Sequence, residues 1–178
     1  MKTKTISFAE IMRKSLLSAV MITVTVALPW LCHLLGGALG IHTGLGEMLL
    51  PMHLPVMLAG MLWGPVAGLA CGLVSPVLSW ALTAMPTAVM LPFMTVELAV
   101  YGLTAGLLAR TKLPSLPRVL LTQVAGRVAR ALVLAVAIYG CGFTGLPISL
   151  VWTSISVGLA GIVLQWAVLP LLDRESYR

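Results

Sequence analysis

Between Glu47 and Arg110 the chain carries a single fully charged side chain, Glu97, inside an otherwise apolar run. Such a run cannot form the surface of a water-soluble domain, and it is long enough for several crossings of a bilayer at roughly 20 apolar residues each. Three features inside it are costly in hydrocarbon and therefore constrain the fold. They are His53 between Pro51 and Pro55, the Ser75-Pro76 step in a hydrophobic stretch, and the ionisable Glu97. The rest of the chain agrees with a membrane setting. Charged residues make up 9% and hydrophobic residues 60%, where a soluble domain has roughly a quarter charged. Five acidic residues cannot solvate a globule of 178 residues. The chain is predicted to be an all-α integral membrane protein forming one membrane domain over residues 1–178.

Loop signals and span length divide it into six helices, at about 15–35, 53–63, 65–82, 93–108, 119–139 and 148–172. The first has Lys2, Lys4, Arg13 and Lys14 ahead of it and is longer than the apolar core of a secretory signal, so it reads as a retained helix. The connections 33–50, 83–92 and 140–147 contain no Lys or Arg, whereas Arg110, Lys112 and Arg118 cluster around the connection between the fourth and fifth spans. Positive residues stay on the cytoplasmic side, which predicts both termini inside. The connection 33–50 is Gly-rich and too apolar for a solvated linker, and it is predicted to lie over the bundle as a lid. Pro76 is expected to kink the third helix in its outer half. Gly60, Gly64, Gly68 and Gly72, four apart, allow the second and third helices to cross with their backbones close.

The net charge of +6 is not a nucleic-acid signal, because the basic residues sit mainly at span ends and no soluble basic face exists. Cys32, Cys71 and Cys141 form no Cys-x-x-Cys pair and read as packing thiols, with a Cys32–Cys141 bridge between outer connections as the alternative. There is no phosphate-binding Gly-x-x-x-x-Gly-Lys-[Ser/Thr] loop, so any ATP used in transport is hydrolysed by another subunit, and no cofactor is expected to be bound permanently. No nucleophile–base–orienter set and no paired carboxylates are present, which argues against an enzyme.

Charged groups at mid-bilayer usually face the bundle interior and mark pathways or sites. Glu97 lies near one third of the way down the fourth span and Arg127 and Arg130 lie mid-span in the fifth, so antiparallel neighbours would bring Glu97 and one Arg to similar depth. Two readings stay open. One is a structural Glu–Arg pair. The other is a site in which two arginines for one carboxylate leave positive charge for an anionic ligand, since guanidinium forks match carboxylates. His33, His42 and His53 all fall in or beside the first outer connection. His33 reads best as interfacial or capping, and His53 at the mouth of a short helix as a ligand contact. Seven of the ten methionines lie between Met48 and Met94 and supply an adaptable apolar wall. The candidate substrate-binding residues are His53, Glu97, Arg127, Arg130, His42, Met52, Met85 and Tyr101. No spacing supports a preformed metal site; His53 or His42 would be an iron ligand only for a haem substrate. Along the first helix Ser15, Ala19, Thr23 and Ala27 form a small-residue stripe on which a partner helix, or another helix of this chain, can pack closely.

With these residues placed, the chain resembles the substrate-binding S component of an energy-coupling factor (ECF) transporter. The matching text runs His53-Leu54-Pro55-Val56, Leu58-Ala59-Gly60, Gly64-Pro65, Ser75-Pro76, Met85-Pro86, Glu97-Leu98, Tyr101-Gly102, Gly106-Leu107 and Ala125-Gly126-Arg127. The resemblance implies a binder of a vitamin or cofactor precursor in the prokaryotic cytoplasmic membrane, closed over by its outer loops. It also implies partners: a membrane coupling subunit and two ATPase subunits, beside which the S component topples to release its cargo inside. Family members meet the coupling subunit through Ala-x-x-x-Ala on the first helix; here the register reads Ser15, Ala19, Thr23, Ala27. The expected substrate is a carboxylate-bearing vitamin of pantothenate type or a haem-like tetrapyrrole. A stand-alone carrier or channel for a small organic anion is the alternative.

Overall fold

The computed structural model describes residues 8–40 and 44–175, with side chains at 12, 16–40 and 46–172. Among these residues every regular element is helical: α1 Phe8–Ala38, α2 Gly44–Leu49, α3 His53–Trp63, α4 Pro65–Thr83, α5 Leu91–Leu108, α6 Ser115–Ala135 continued by a π-turn Val136–Gly140, α7 Leu150–Val157 and α8 Leu159–Glu175. Four helical spans are long and apolar enough to cross a membrane, or five if the bent pair α7–α8 is one span. At 11 residues, α3 rises only about 16 Å at 1.5 Å per residue, short of the hydrocarbon thickness. Helix length thus accounts for four or five of the six expected spans.

Proline placement fixes where several helices begin. Pro65 opens α4 and Pro92 sits in the first turn of α5, where a missing N–H costs nothing. The turn between α3 and α4 needs Gly64, whose φ of 98° is outside the range of ordinary side chains. Beyond that turn α3, α4 and α5 close on glycine. A Cβ on Gly102 would meet the Gly68 carbonyl, one on Gly60 the Gly102 oxygen, and one on Gly106 the Pro65 backbone. This trio forms the buried centre, with Val56, Met57, Ala59, Cys71 and Leu98 all at 0% exposure. Helices α1, α6 and α8 pack around it, leaving outward rows such as Val124, Val128 and Leu132 on α6 exposed, as a lipid-facing surface allows.

Two expectations change. The connection 33–50 is not a plain lid loop. Its first residues, including His33, continue α1 to Ala38, and Gly44–Leu49 form the short helix α2. The His33 ring lies close against α2 there, since a Cβ at Gly46 would meet its Cε1 at 2.7 Å. The sixth span is not one helix: it bends by 57° between α7 and α8 at Gly158, where the Leu50 side chain would lie 2.8 Å from an added Cβ. In α4, Pro76 sits inside an uninterrupted helix. There Ser75 turns its hydroxyl to the Cys71 sulfur at 3.6 Å, and Cys71 in turn meets Thr25 of α1 at 3.6 Å. Cys32, Cys71 and Cys141 are all free thiols.

One polar network ties α6 to α8. Gln123 Nε2 donates to Gln165 Oε1 at 2.8 Å, and Trp166 Nε1 donates to Gln123 Oε1 at 2.7 Å. Replacing Gln123 by Leu is expected to lower stability by about 1–2 kcal/mol, seen as a lower thermal midpoint in detergent. Adding Gln165→Leu should cost little more, because the orphaned amide goes with it. Additive losses would show that the two amides act independently.

Candidate functional site

The polar centre is built from one residue of α3, two of α5 and two of α6. Pro55 is tolerated in the first turn of α3, and His53 N–H donates to the Leu50 carbonyl at 3.0 Å, starting the helix at the histidine. Leu50 itself has φ 48°, a left-handed turn that swings the chain from α2 into α3. Four residues apart on α5, Glu97 and Tyr101 project from the same face toward α6, where Arg127 and Arg130 are three apart and likewise share a face.

Glu97 is fully buried at 0% exposure and is engaged by both arginines. Arg130 Nη1 donates to its Oε2 at 3.0 Å, and Arg127 Nε lies 3.3 Å from its Oε1. His53 Nε2 is 3.7 Å from the same Oε1, beyond hydrogen-bond reach. Behind it the Tyr101 ring meets the imidazole edge to face, 5.1 Å away at 78°. A Cβ on Gly126 would strike that tyrosine ring at 2.8 Å, so glycine at 126 is what lets α6 approach. Arg127 spends a second donor on α7, Nη1 to Ser154 Oγ at 3.1 Å, and that hydroxyl donates on to the Val151 carbonyl. The Nε of Arg130, the Nη2 of Arg127 and both ring nitrogens of His53 are buried without a hydrogen-bond partner among the described residues.

Two of these residues, His53 and Arg130, line a cavity of about 380 Å³ at the end of the bundle where α3 begins and α4 ends, a size suited to a small molecule. Arg130, His53, His33 and the hydroxyls of Ser79, Thr87, Thr153 and Ser154 supply its polar lining. Met52, Met85, Met90 and Met94, with Pro29, Pro51 and Pro86, supply most of its apolar wall. Glu47 of α2 also borders it and is exposed. The connection 141–149 folds over the same end, Phe143 lying 5.9 Å from Phe93 at the start of α5.

The eight residues singled out from sequence therefore separate. His53, Arg130, Met52 and Met85 face the cavity, whereas Glu97, Arg127 and Tyr101 stand behind them and hold them in place. His42 lies outside the described residues. His33, read from sequence as interfacial, borders the cavity instead and has its Nδ1 buried without a partner. Sequence reasoning also passed over Ser154 and Thr153, whose only signal was a Thr-Ser-x-Ser cluster in an apolar run. Among the described residues no group of three His, Cys, Asp or Glu side chains is placed to hold a metal ion.

The described residues thus form a helical membrane chain with a closed polar centre beside a ligand-sized cavity. The model of the ECF transporter substrate-specific component matches residues 9–172, and the chain belongs to that family. It is thus a multi-pass membrane protein with the role of a transporter's substrate-binding subunit, in a family that works with a membrane coupling subunit and ATPases. No curated protein and no solved structure matches it.

Proposed function

We propose that this S component captures a small carboxylate-bearing molecule, of pantothenate type, at the outer face of a prokaryotic cytoplasmic membrane. Delivery inward then takes place with the coupling subunit and two ATPase subunits, which bind and hydrolyse the ATP, while this chain holds no permanent cofactor. One observation carries the reading. Arg130 lines the cavity while anchored to Glu97 by Nη1, and its buried Nε has no hydrogen-bond partner among the described residues. A guanidinium held by one edge presents its other donors in a fixed orientation, which suits a carboxylate. The methionines and prolines then take the apolar body of the ligand.

The orientation with both termini inside is supported by charge placement. The cavity end carries connections free of Lys and Arg, and the opposite end carries Arg110 and Lys112. Ala19, Thr23 and Ala27 of α1 are exposed, and the Thr23 hydroxyl is tied to the Ala19 carbonyl at 3.0 Å. That stripe, with Ser15 in the same register, is a fitting contact for the coupling subunit. A stand-alone anion carrier fits less well, since Glu97, the intramembrane carboxylate it would use for ion coupling, is already engaged by two arginines.

The test is mass spectrometry of what the full chain retains when purified in mild detergent. Wild type is expected to yield a small carboxylate. Arg130→Gln is expected to weaken its binding by about 2 kcal/mol or more, roughly thirtyfold in Kd. Retention by Arg130→Gln at the wild-type level would sink the assignment. A second reading, a haem-like tetrapyrrole, is favoured by His33 and His53 both bordering the cavity with unpartnered ring nitrogens. It predicts a haem-type visible spectrum that weakens in His53→Ala and His33→Ala. A colourless wild-type protein carrying a carboxylate would exclude it.

A further inference from the structure

Given a carboxylate site at Arg130, the balance of charge around Glu97 bears on which carboxylates it accepts. Arg127, Arg130 and Glu97 form one closed cluster with side-chain exposures of 12%, 7% and 1%. Two cations share one anion, and the surplus of one positive charge lies beside the cavity, which Arg130 lines. Among the described residues the one carboxylate bordering the cavity, Glu47, is exposed to solvent, where screening removes most of its influence on the buried cluster. His53 and His33 add hydrogen-bonding nitrogens without fixed charge when neutral.

We propose, building on the carboxylate-binding function above, that this site selects ligands whose buried end bears a single negative charge, and that Glu97 is the residue that sets that number without touching the ligand. A monoanion brings cluster plus ligand to neutrality inside the membrane. A neutral ligand leaves the buried positive charge uncompensated, and a group with two carboxylates on one carbon leaves an excess anion there. Both states are penalised strongly where water is scarce. Glu97 is therefore a specificity-determining residue acting through Arg130: its carboxylate cancels one of two cations and so leaves room for one ligand charge.

The experiment uses the full chain in lipid nanodiscs and three probes of similar chain length: octanoate, neutral octanamide, and hexylmalonate with two carboxylates on one carbon. Binding to wild type, Glu97→Gln and Arg127→Gln is read by calorimetry, and comparing ratios between variants cancels partitioning into lipid. Wild type should prefer octanoate over both others by about tenfold or more. In Glu97→Gln the surplus becomes two positive charges and preference should move toward hexylmalonate by a similar factor. In Arg127→Gln it becomes zero and octanamide should match octanoate, so the two variants move selectivity in opposite directions. Should Glu97→Gln fail to fold, the Arg127→Gln shift alone decides. If wild type prefers octanoate and the variants keep its ratios, charge counting by Glu97 is overturned while the carboxylate site stands. If wild type binds octanoate no better than octanamide, the carboxylate site itself falls, and the inference with it.

Discussion

Glu97→Ala should be the most damaging single polar substitution in this protein, lowering stability by about 3–5 kcal/mol. The carboxylate is at 0% exposure and is the shared partner of Arg127 and Arg130. Removing it leaves two guanidinium groups of like charge buried side by side, with the Ser154 hydroxyl still accepting from Arg127 alone. The loss would be read as a lower thermal midpoint and a smaller monodisperse fraction in size-exclusion chromatography. Replacing all three residues by Leu should recover most of that stability, because apolar side chains in place of a buried ion cluster are often neutral or better. Ligand binding should stay lost in the triple variant, since Arg130 is gone. A Glu97→Ala protein as stable as wild type would mean that water or lipid headgroups reach the arginines.

Gly102→Ala is expected to be the most damaging change without any polar atom, at about 3 kcal/mol or failure to assemble. The added methyl would meet the Gly68 carbonyl oxygen, which is rigid helix backbone and cannot turn aside as a side chain would. The helices α4 and α5 would have to separate along their whole contact, and α3 with them, since Gly60 lies against the same Gly102 oxygen. Glu97 and Tyr101 sit on α5 within reach of that displacement, so ligand retention should fall together with stability. By contrast Gly37→Ala, where nothing lies within 4 Å of the new methyl, should be neutral or slightly stabilising, and it controls for helix propensity. Equal behaviour of the two variants in a thermal melt would refute tight α4–α5 contact.

Much of this was legible in the order of residues. A lone acid between Glu47 and Arg110 excluded a soluble domain, and charge scarcity alone identified buried ionisable residues as the place to look. Glu97, Arg127, Arg130 and His53 were found that way, because a charge in hydrocarbon needs a partner wherever the chain folds. The glycines at 60, 64, 68 and 72 were visible as a four-residue spacing, though not as contacts with Gly102, Gly106 and Leu98 of α5. Less accessible were α2 and the α7–α8 bend. An apolar run with scattered glycine reads equally as loop, helix or broken helix, and hydropathy says nothing of the Leu50 side chain that fills the space at Gly158.

What the sequence determined by itself, then, was everything that depends on a sum along the chain: membrane residence, helical class, the depth of charged residues and the order of motifs that places it in its family. What the tertiary structure decided was facing. Helices that are apolar nearly all round carry no stripe to say which side meets a neighbour, so only packing could show that Glu97 binds both arginines. Packing also turned His33 toward the cavity, and placed Arg130 in front with Arg127 behind. That last distinction separates the arginine that lines the cavity from the one behind it, and it arises from contacts between α5, α6 and α7 that sequence distance does not encode.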